Sequence, residues 1–139
     1  MSPIHATTVA RHGRGGWRAV LLTGPSGAGK SDLALRLIGD GWHLVADDYT
    51  EVWASGGALY ATAPTRIAGR IEVRGLGILD CPPRRLVRVA LIVDCGQQTV
   101  ERLPEAATTV LAGISLPRLA VDTRPASAAR LVAAALTHL

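Results

Sequence analysis

The sequence predicts an α/β fold: a mixed β-sheet with flanking helices, its first helix opened by a glycine-rich loop. Three observations lead there. An apolar run, Trp17–Thr23, stops at Gly24-Pro25-Ser26-Gly27-Ala28-Gly29-Lys30-Ser31, and a helically spaced stretch follows, which reads as strand, loop and helix. Paired apolar stretches around Ser55-Gly56-Gly57 read as a hairpin and require antiparallel neighbours. Leu86–Val93, rich in Val, Leu and Ile, is the strongest strand of the chain.

The elements follow in order. Ala6–Ala10 alternates weakly as a strand, and Gly13-Arg14-Gly15-Gly16 is a turn. Trp17–Thr23 is a buried strand. Ser31–Ile38 carries Leu33, Ala34, Leu37 and Ile38 at helical spacing, with Gly39 and Gly41 as stop signals. Leu44–Ala46 is a short strand running into Asp47-Asp48. Glu51–Ala54 and Ala58–Thr62 form the hairpin. Ile71–Leu79 is an apolar stretch interrupted by Gly75 and Gly77, which fits an edge strand with a bulge. Leu116–Val121 is a weaker strand, and alanine-rich Ala126–Leu139 closes the chain as a helix. No repeat or linker interrupts the 139 residues, so residues 1–139 are expected to form a single domain.

Composition narrows the function class. Hydrophobic residues at 48% and charged residues at 19% describe a globular chain, long enough to bury a core. There is no apolar run of about 20 residues and no signal-peptide pattern at the N-terminus, so no membrane association and a cytoplasmic location are expected. Cys81 and Cys95 are too few for a disulfide framework and have no zinc-ligand spacing, so they read as small apolar side chains. The net charge is +4, but the arginines are scattered and aromatics are few, which argues against nucleic acid. A nucleotide or an acidic protein explains the charge as well.

Lys30 is the only lysine among the 15 basic residues, and it occupies the fixed lysine of the G-x-x-x-x-G-K-[ST] pattern. A compact ammonium on a flexible stem can follow β- and γ-phosphates as a point charge. The glycines let backbone approach phosphate closely. The free N–H groups and dipole of the following helix favour an anion there. Ser31 would set its hydroxyl on Mg²⁺. A chance match in a chain this long is on the order of one in a hundred from average residue usage. The loop implies phosphate-donor chemistry without naming the acceptor.

Asp47-Asp48 lies seventeen and eighteen residues beyond Lys30. One such carboxylate can hold Mg²⁺ or its waters, and a second can take a proton from an attacking hydroxyl. In Ile71-Glu72-Val73-Arg74-Gly75-Leu76-Gly77-Ile78-Leu79-Asp80, Glu72 and Arg74 would share one strand face.

With these three motifs the chain resembles the catalytic domain of HPr kinase/phosphorylase, which acts on a serine of the phosphocarrier protein HPr. The resemblance rests on Gly24–Ser31, on Leu44-Val45-Ala46-Asp47-Asp48 at the family's distance from the lysine, and on the family signature at Ile71–Asp80. It reaches from His5 to about Pro125. It implies a phosphate-loop fold of the phosphoenolpyruvate carboxykinase-like type, with ATP and Mg²⁺ as cofactors and an HPr-like protein as partner. It assigns Lys30 to the nucleotide phosphates, with Gly24, Pro25, Ser26, Gly27, Ala28, Gly29 and Ser31 forming the cradle. Ser31 and Glu72 match the magnesium ligands. Asp48 matches the residue that accepts the serine proton in phosphorylation and returns it in reversal, and Asp47 matches the adjacent acid. His5 resembles the catalytic-site histidine upstream of the loop. Arg102, in Val100-Glu101-Arg102-Leu103, resembles a further catalytic arginine. Arg124, in Thr123-Arg124-Pro125, resembles the start of the segment tied to dephosphorylation.

The departures matter too. Longer members carry an N-terminal domain, and this short form resembles those of alphaproteobacteria. The stretch from Asp94 to Glu105 is shorter than in the family. Ala126-Ser127-Ala128 replaces a glycine–arginine–asparagine pattern, which bears on phosphorolysis more than on kinase activity. Homo-oligomers are expected from the family, hexameric in its longer members. Two alternatives come from the loop itself: a small-molecule kinase on a related fold, and a non-catalytic ATP-sensing module. The acidic doublet argues against the second, since binding alone needs no base.

Overall fold

A computed structural model describes residues 3–96 and 105–139. Two long antiparallel strands, β1 (Ile4–Gly13) and β2 (Gly16–Thr23), open the chain. They are followed by α1 (Lys30–Gly39), β3 (His43–Ala46), β4 (Tyr49–Ser55) and β5 (Ala58–Thr62). A hairpin, β6 (Arg70–Val73) and β7 (Gly77–Asp80), stands apart from the main sheet. Then come β8 (Val87–Asp94), β9 (Ala107–Leu111), β10 (Ile114–Ala120) and α2 (Ala128–Thr137).

The eight-stranded sheet is mixed. β2 lies between antiparallel β1 and parallel β8. From β1 the pairing continues to β4, then β5, then back to β8. These five strands therefore close on themselves as a ring. β3 shares the edge of β1 beside β4, and β10 with β9 extends the sheet beyond β8.

Strand alternation divides the core in two. Ala19 and Leu21 of β2 point into the ring with Val52, Leu59, Ala61 and Val89. Val20 and Leu22 point out, against Leu33 and Leu37 of α1 and Val132 and Leu136 of α2. On β8 the alternation flips at Ala90, where the pairing with β2 slips by one residue. Val87 and Val89 face the ring interior before that bulge, and Leu91 and Val93 face the helices after it. α1 ends in a glycine-terminated cap: Gly41 N–H reaches the Ile38 carbonyl at 3.0 Å and Trp42 N–H reaches Leu37 at 3.1 Å. Among the described residues no helix is long and apolar enough to cross a membrane.

The fold class expected from sequence is the one observed, with differences in detail. Both helices cover the same face of the sheet, and the other face is enclosed by the ring. The stretch Ile71–Leu79 is a separate hairpin, not a bulged edge strand. Gly75 and Gly77 take φ of 90° and 111° at its turn, and Arg74 falls in that turn rather than on a strand face with Glu72. Leu76 and Ile78 are 76% and 70% exposed, so apolar composition did not signal burial there. Sequence pattern does not reveal β9 because Ala107–Leu111 is mostly exposed, and its turn, Ala112-Gly113, puts alanine at a positive φ of 50°. The two cysteines pack as small apolar groups: burial pushes the Cys95 thiol up to about 12, despite the nearby Lys30 ammonium, and raises Cys81 as well.

Candidate active site

β2 delivers the chain at Thr23 into the loop Gly24–Gly29, and α1 starts at Lys30 with no side-chain cap, leaving its first N–H groups for a ligand. The loop is held from behind. A Cβ at Gly24 would lie 2.9 Å from the Cys95 carbonyl oxygen, and one at Gly29 would lie 2.5 Å from the Thr123 hydroxyl. That hydroxyl donates to the Ala28 carbonyl at 2.7 Å. Arg36 of α1 secures the same brace by donating to the carbonyls of Thr123 at 2.5 Å and Pro125 at 3.0 Å. Gly29→Ala is expected to weaken nucleotide binding about tenfold or more, because φ of 89° and the Thr123 contact both resist a side chain. Calorimetric titration with ATP checks it, and unchanged affinity would contradict the brace.

The Lys30 side chain is 6% exposed and folds back over the loop. Its ammonium donates to the carbonyls of Gly24 at 2.7 Å and Pro25 at 3.0 Å. Those bonds satisfy a buried charge and aim it into the hollow of the loop.

The two adjacent carboxylates have different surroundings. Asp47, at the end of β3, is buried. Its Oδ1 accepts from the Ser31 hydroxyl at 2.7 Å and from Thr7 at 3.2 Å, and its Oδ2 accepts from the Glu72 N–H at 2.9 Å. Asp48 is exposed, and its Oδ1 lies 2.8 Å from His5 Nε2. The His5 ring stacks on Tyr49 at 5.4 Å. Asp48 has φ of 66°, and Tyr49 N–H bonds back to the Asp47 carbonyl at 2.7 Å. This i→i+2 bond around a positive φ is the rare, strained form of three-residue turn, and such strain concentrates at functional sites. It turns consecutive carboxylates in different directions: Asp47 toward the loop, Asp48 toward His5 and solvent.

The arrangement suits a cation held between loop and carboxylate. Ser31 and Asp47 already converge at 2.7 Å. No cluster of three or more His, Cys, Asp or Glu exists among the described residues, so a preformed all-protein cage is not offered. Mg²⁺ needs no such cage, since it binds through one or two carboxylates together with substrate phosphates and water. The residues therefore fit it. Glu72 reaches this group through its backbone N–H, with its side chain exposed.

An open cleft of about 350 Å³ lies beside β1 and the β9–β10 hairpin, lined by Ile4, His5, Thr23, Asp94, Leu111 and Arg118. His5 thus stands between the acidic turn and open space. Arg124 is not brought to this group by any contact described: its guanidinium and N–H bond Asp122 at 2.9–3.0 Å, and those bonds hold the Asp122 carboxyl below its ordinary range. Arg102 lies outside the described residues. Thr7, Arg36 and Thr123 are the participants that sequence reasoning missed. Thr7 and Thr123 look like ordinary strand and loop threonines, and Arg36 looks like a solvated helix residue.

The model of the HPr serine kinase C-terminal domain matches residues 2–138. The HPr kinase/phosphorylase of Azoarcus sp. (strain BH72) is 41% identical over 138 residues, covering 84% of this chain and 41% of the relative. That of Clostridium tetani is 44% identical over 79 residues, covering 57% of this chain and 25% of the relative. The chain thus spans less than half the length of these relatives. A solved structure, the HPr(Ser) kinase/phosphatase from Coxiella burnetii, shares the fold with a TM-score of 0.83 at 23% identity, covering 99% of this chain and 95% of that one.

Proposed function

Because this chain belongs to the HPr serine kinase C-terminal domain family, we propose that residues 1–139 act as one catalytic domain transferring the γ-phosphoryl group of ATP to a serine of an HPr-like phosphocarrier protein. One observation carries the reading. Neighbouring carboxylates are divided between a loop-side acid bonded to Ser31 and an exposed acid bonded to His5. The first suits a metal and the second suits an incoming hydroxyl.

Lys30 would exchange its two carbonyl partners for phosphate oxygens, and the N–H groups at the start of α1 would take the rest of the donor. Ser31 and Asp47 would hold Mg²⁺, with Glu72, whose N–H bonds Asp47, as the further ligand that the family resemblance implies. That ion, when bound, would supply neutralisation of the phosphate charge. Asp48 accepts the serine proton at the oxygen that His5 leaves free, and the hydroxyl oxygen attacks the γ-phosphorus in line as its bond to the β–γ bridging oxygen breaks and ADP leaves. The exposure of Asp48 fits an acceptor carried on a protein surface. In the reverse direction Asp48 returns the proton to the serine while inorganic phosphate takes the phosphoryl group, giving pyrophosphate. Cytoplasmic location and a homo-oligomeric state belong to the same proposal.

The test is ADP release by purified chain with ATP and Mg²⁺, with and without HPr-like proteins. Release that depends on the HPr-like protein is expected. Release driven instead by a small molecule would assign a small-molecule kinase. ATP binding with no turnover on any acceptor would assign a sensor.

A further inference from the structure

We propose that Thr7 is the positioning residue that holds the two carboxylates of the Asp47-Asp48 turn in their separate directions, so that transfer depends on its hydroxyl. The inference rests on the kinase reading above and goes beyond it, since Thr7 touches neither donor nor acceptor.

Thr7 sits in β1 opposite Leu22 and is fully buried. A hydroxyl buried there requires hydrogen-bond partners. This one has two, one on each side of the turn. It donates to Asp47 Oδ1 at 3.2 Å and accepts from the Asp48 N–H at 3.0 Å. One oxygen atom therefore ties the carboxylate of the loop-side acid to the backbone of the proposed base. The next residue secures the far side of the turn: Thr8 Oγ1 bonds Thr50 Oγ1 at 2.8 Å, and Thr50 Oγ1 donates to the Ala6 carbonyl at 2.8 Å. Between these two anchors Asp48 is held at φ of 66°. A positive φ on a residue other than glycine persists only where its surroundings over-determine it.

Valine at position 7 preserves shape and strand preference but removes the hydroxyl. The Asp48 N–H then loses its acceptor, and nothing else described holds that amide. The turn is expected to relax, carrying the Asp48 carboxylate away from His5. The 3.2 Å bond to Asp47 Oδ1 is lost as well, but Asp47 keeps its bonds from the Ser31 hydroxyl and the Glu72 N–H, which hold the nucleotide side of the site.

The experiment compares wild type, Thr7→Val, Thr7→Ser and Thr8→Val in steady-state phosphorylation of the HPr-like protein. Thr7→Val is expected to lower kcat about 10- to 100-fold, as a small misplacement of a reacting group does, with KM for ATP within about twofold. Thr7→Ser should recover most of the rate. Thr8→Val, which removes a side-chain bond of the other anchor, should lower kcat by less, because Thr50 keeps its own bond to the Ala6 carbonyl. A wild-type rate in Thr7→Val, or equal losses in Thr7→Val and Thr7→Ser, would overturn the proposal. A crystal structure of Thr7→Val tests it independently of any acceptor. Residue 48 should leave positive φ and its bond to His5 should open; retention of both would overturn the proposal even if the acceptor were some other molecule. Absence of HPr phosphorylation by wild type would count against the kinase reading alone.

Discussion

Lys30→Ala should abolish phosphoryl transfer, lowering the rate about a thousandfold or more while the chain still folds. The magnitude follows from what is removed. Preorganised charge in a site shielded from water is a leading source of rate enhancement in such reactions, and a single lost donor commonly costs about two to three orders of magnitude. Lys30 is the only lysine in the chain, so no neighbouring ammonium can substitute. Its side chain is buried, and its two present partners are loop carbonyls that ATP phosphates would replace. Arginine should not rescue it, because a planar guanidinium fork does not reproduce the compact point charge that the loop carbonyls hold. The measurement is a single-turnover assay beside a circular dichroism spectrum. A folded Lys30→Ala protein with near-normal transfer would remove the loop from the mechanism.

Asp48→Asn should cut turnover about 10²- to 10⁴-fold while leaving ATP affinity within about threefold. The substitution is well suited to the position. Asparagine tolerates positive φ better than most residues, so the turn at φ of 66° can survive and the change falls on the chemistry. The amide also keeps an oxygen of similar shape but cannot accept the serine proton. Nucleotide contacts should persist, because Asp47 rather than Asp48 bonds Ser31. If ATP affinity collapsed and turnover at saturating ATP did not, Asp48 would be a metal or structural residue.

Much of this was legible in the sequence because short-range rules govern it. The run from Trp17 to Ile38 specifies a strand, a glycine-rich loop and a helix from apolar spacing and glycine placement alone. The pair Asp47-Asp48 announces acid chemistry by residue type. What was hidden depends on distance in space. The closure of five strands into a ring arises from pairings of β8 with both β2 and β5, and no local pattern records them. The division of labour between the two aspartates depends on a positive φ at Asp48 and on Thr7, forty residues upstream of Asp47. Thr123, 95 residues from Ala28, reads as a loop threonine until the fold places it behind the phosphate loop. The signature around Gly75 and Gly77 was visible as a motif, but its glycines serve a hairpin turn, while the backbone of Glu72 reaches Asp47.

The central claim is phosphoryl transfer from ATP to a serine on a separate, HPr-like protein. Purified chain, ATP-Mg²⁺ and the HPr-like proteins of the same genome should be mixed, and the products digested and mapped by mass spectrometry. The expected result is a single phosphorylated serine on one of those proteins, its yield at early times lowered about a hundredfold or more when Asp48→Asn replaces wild type. Phosphate on no serine of any of them, with ATP bound and the chain folded, would contradict the claim.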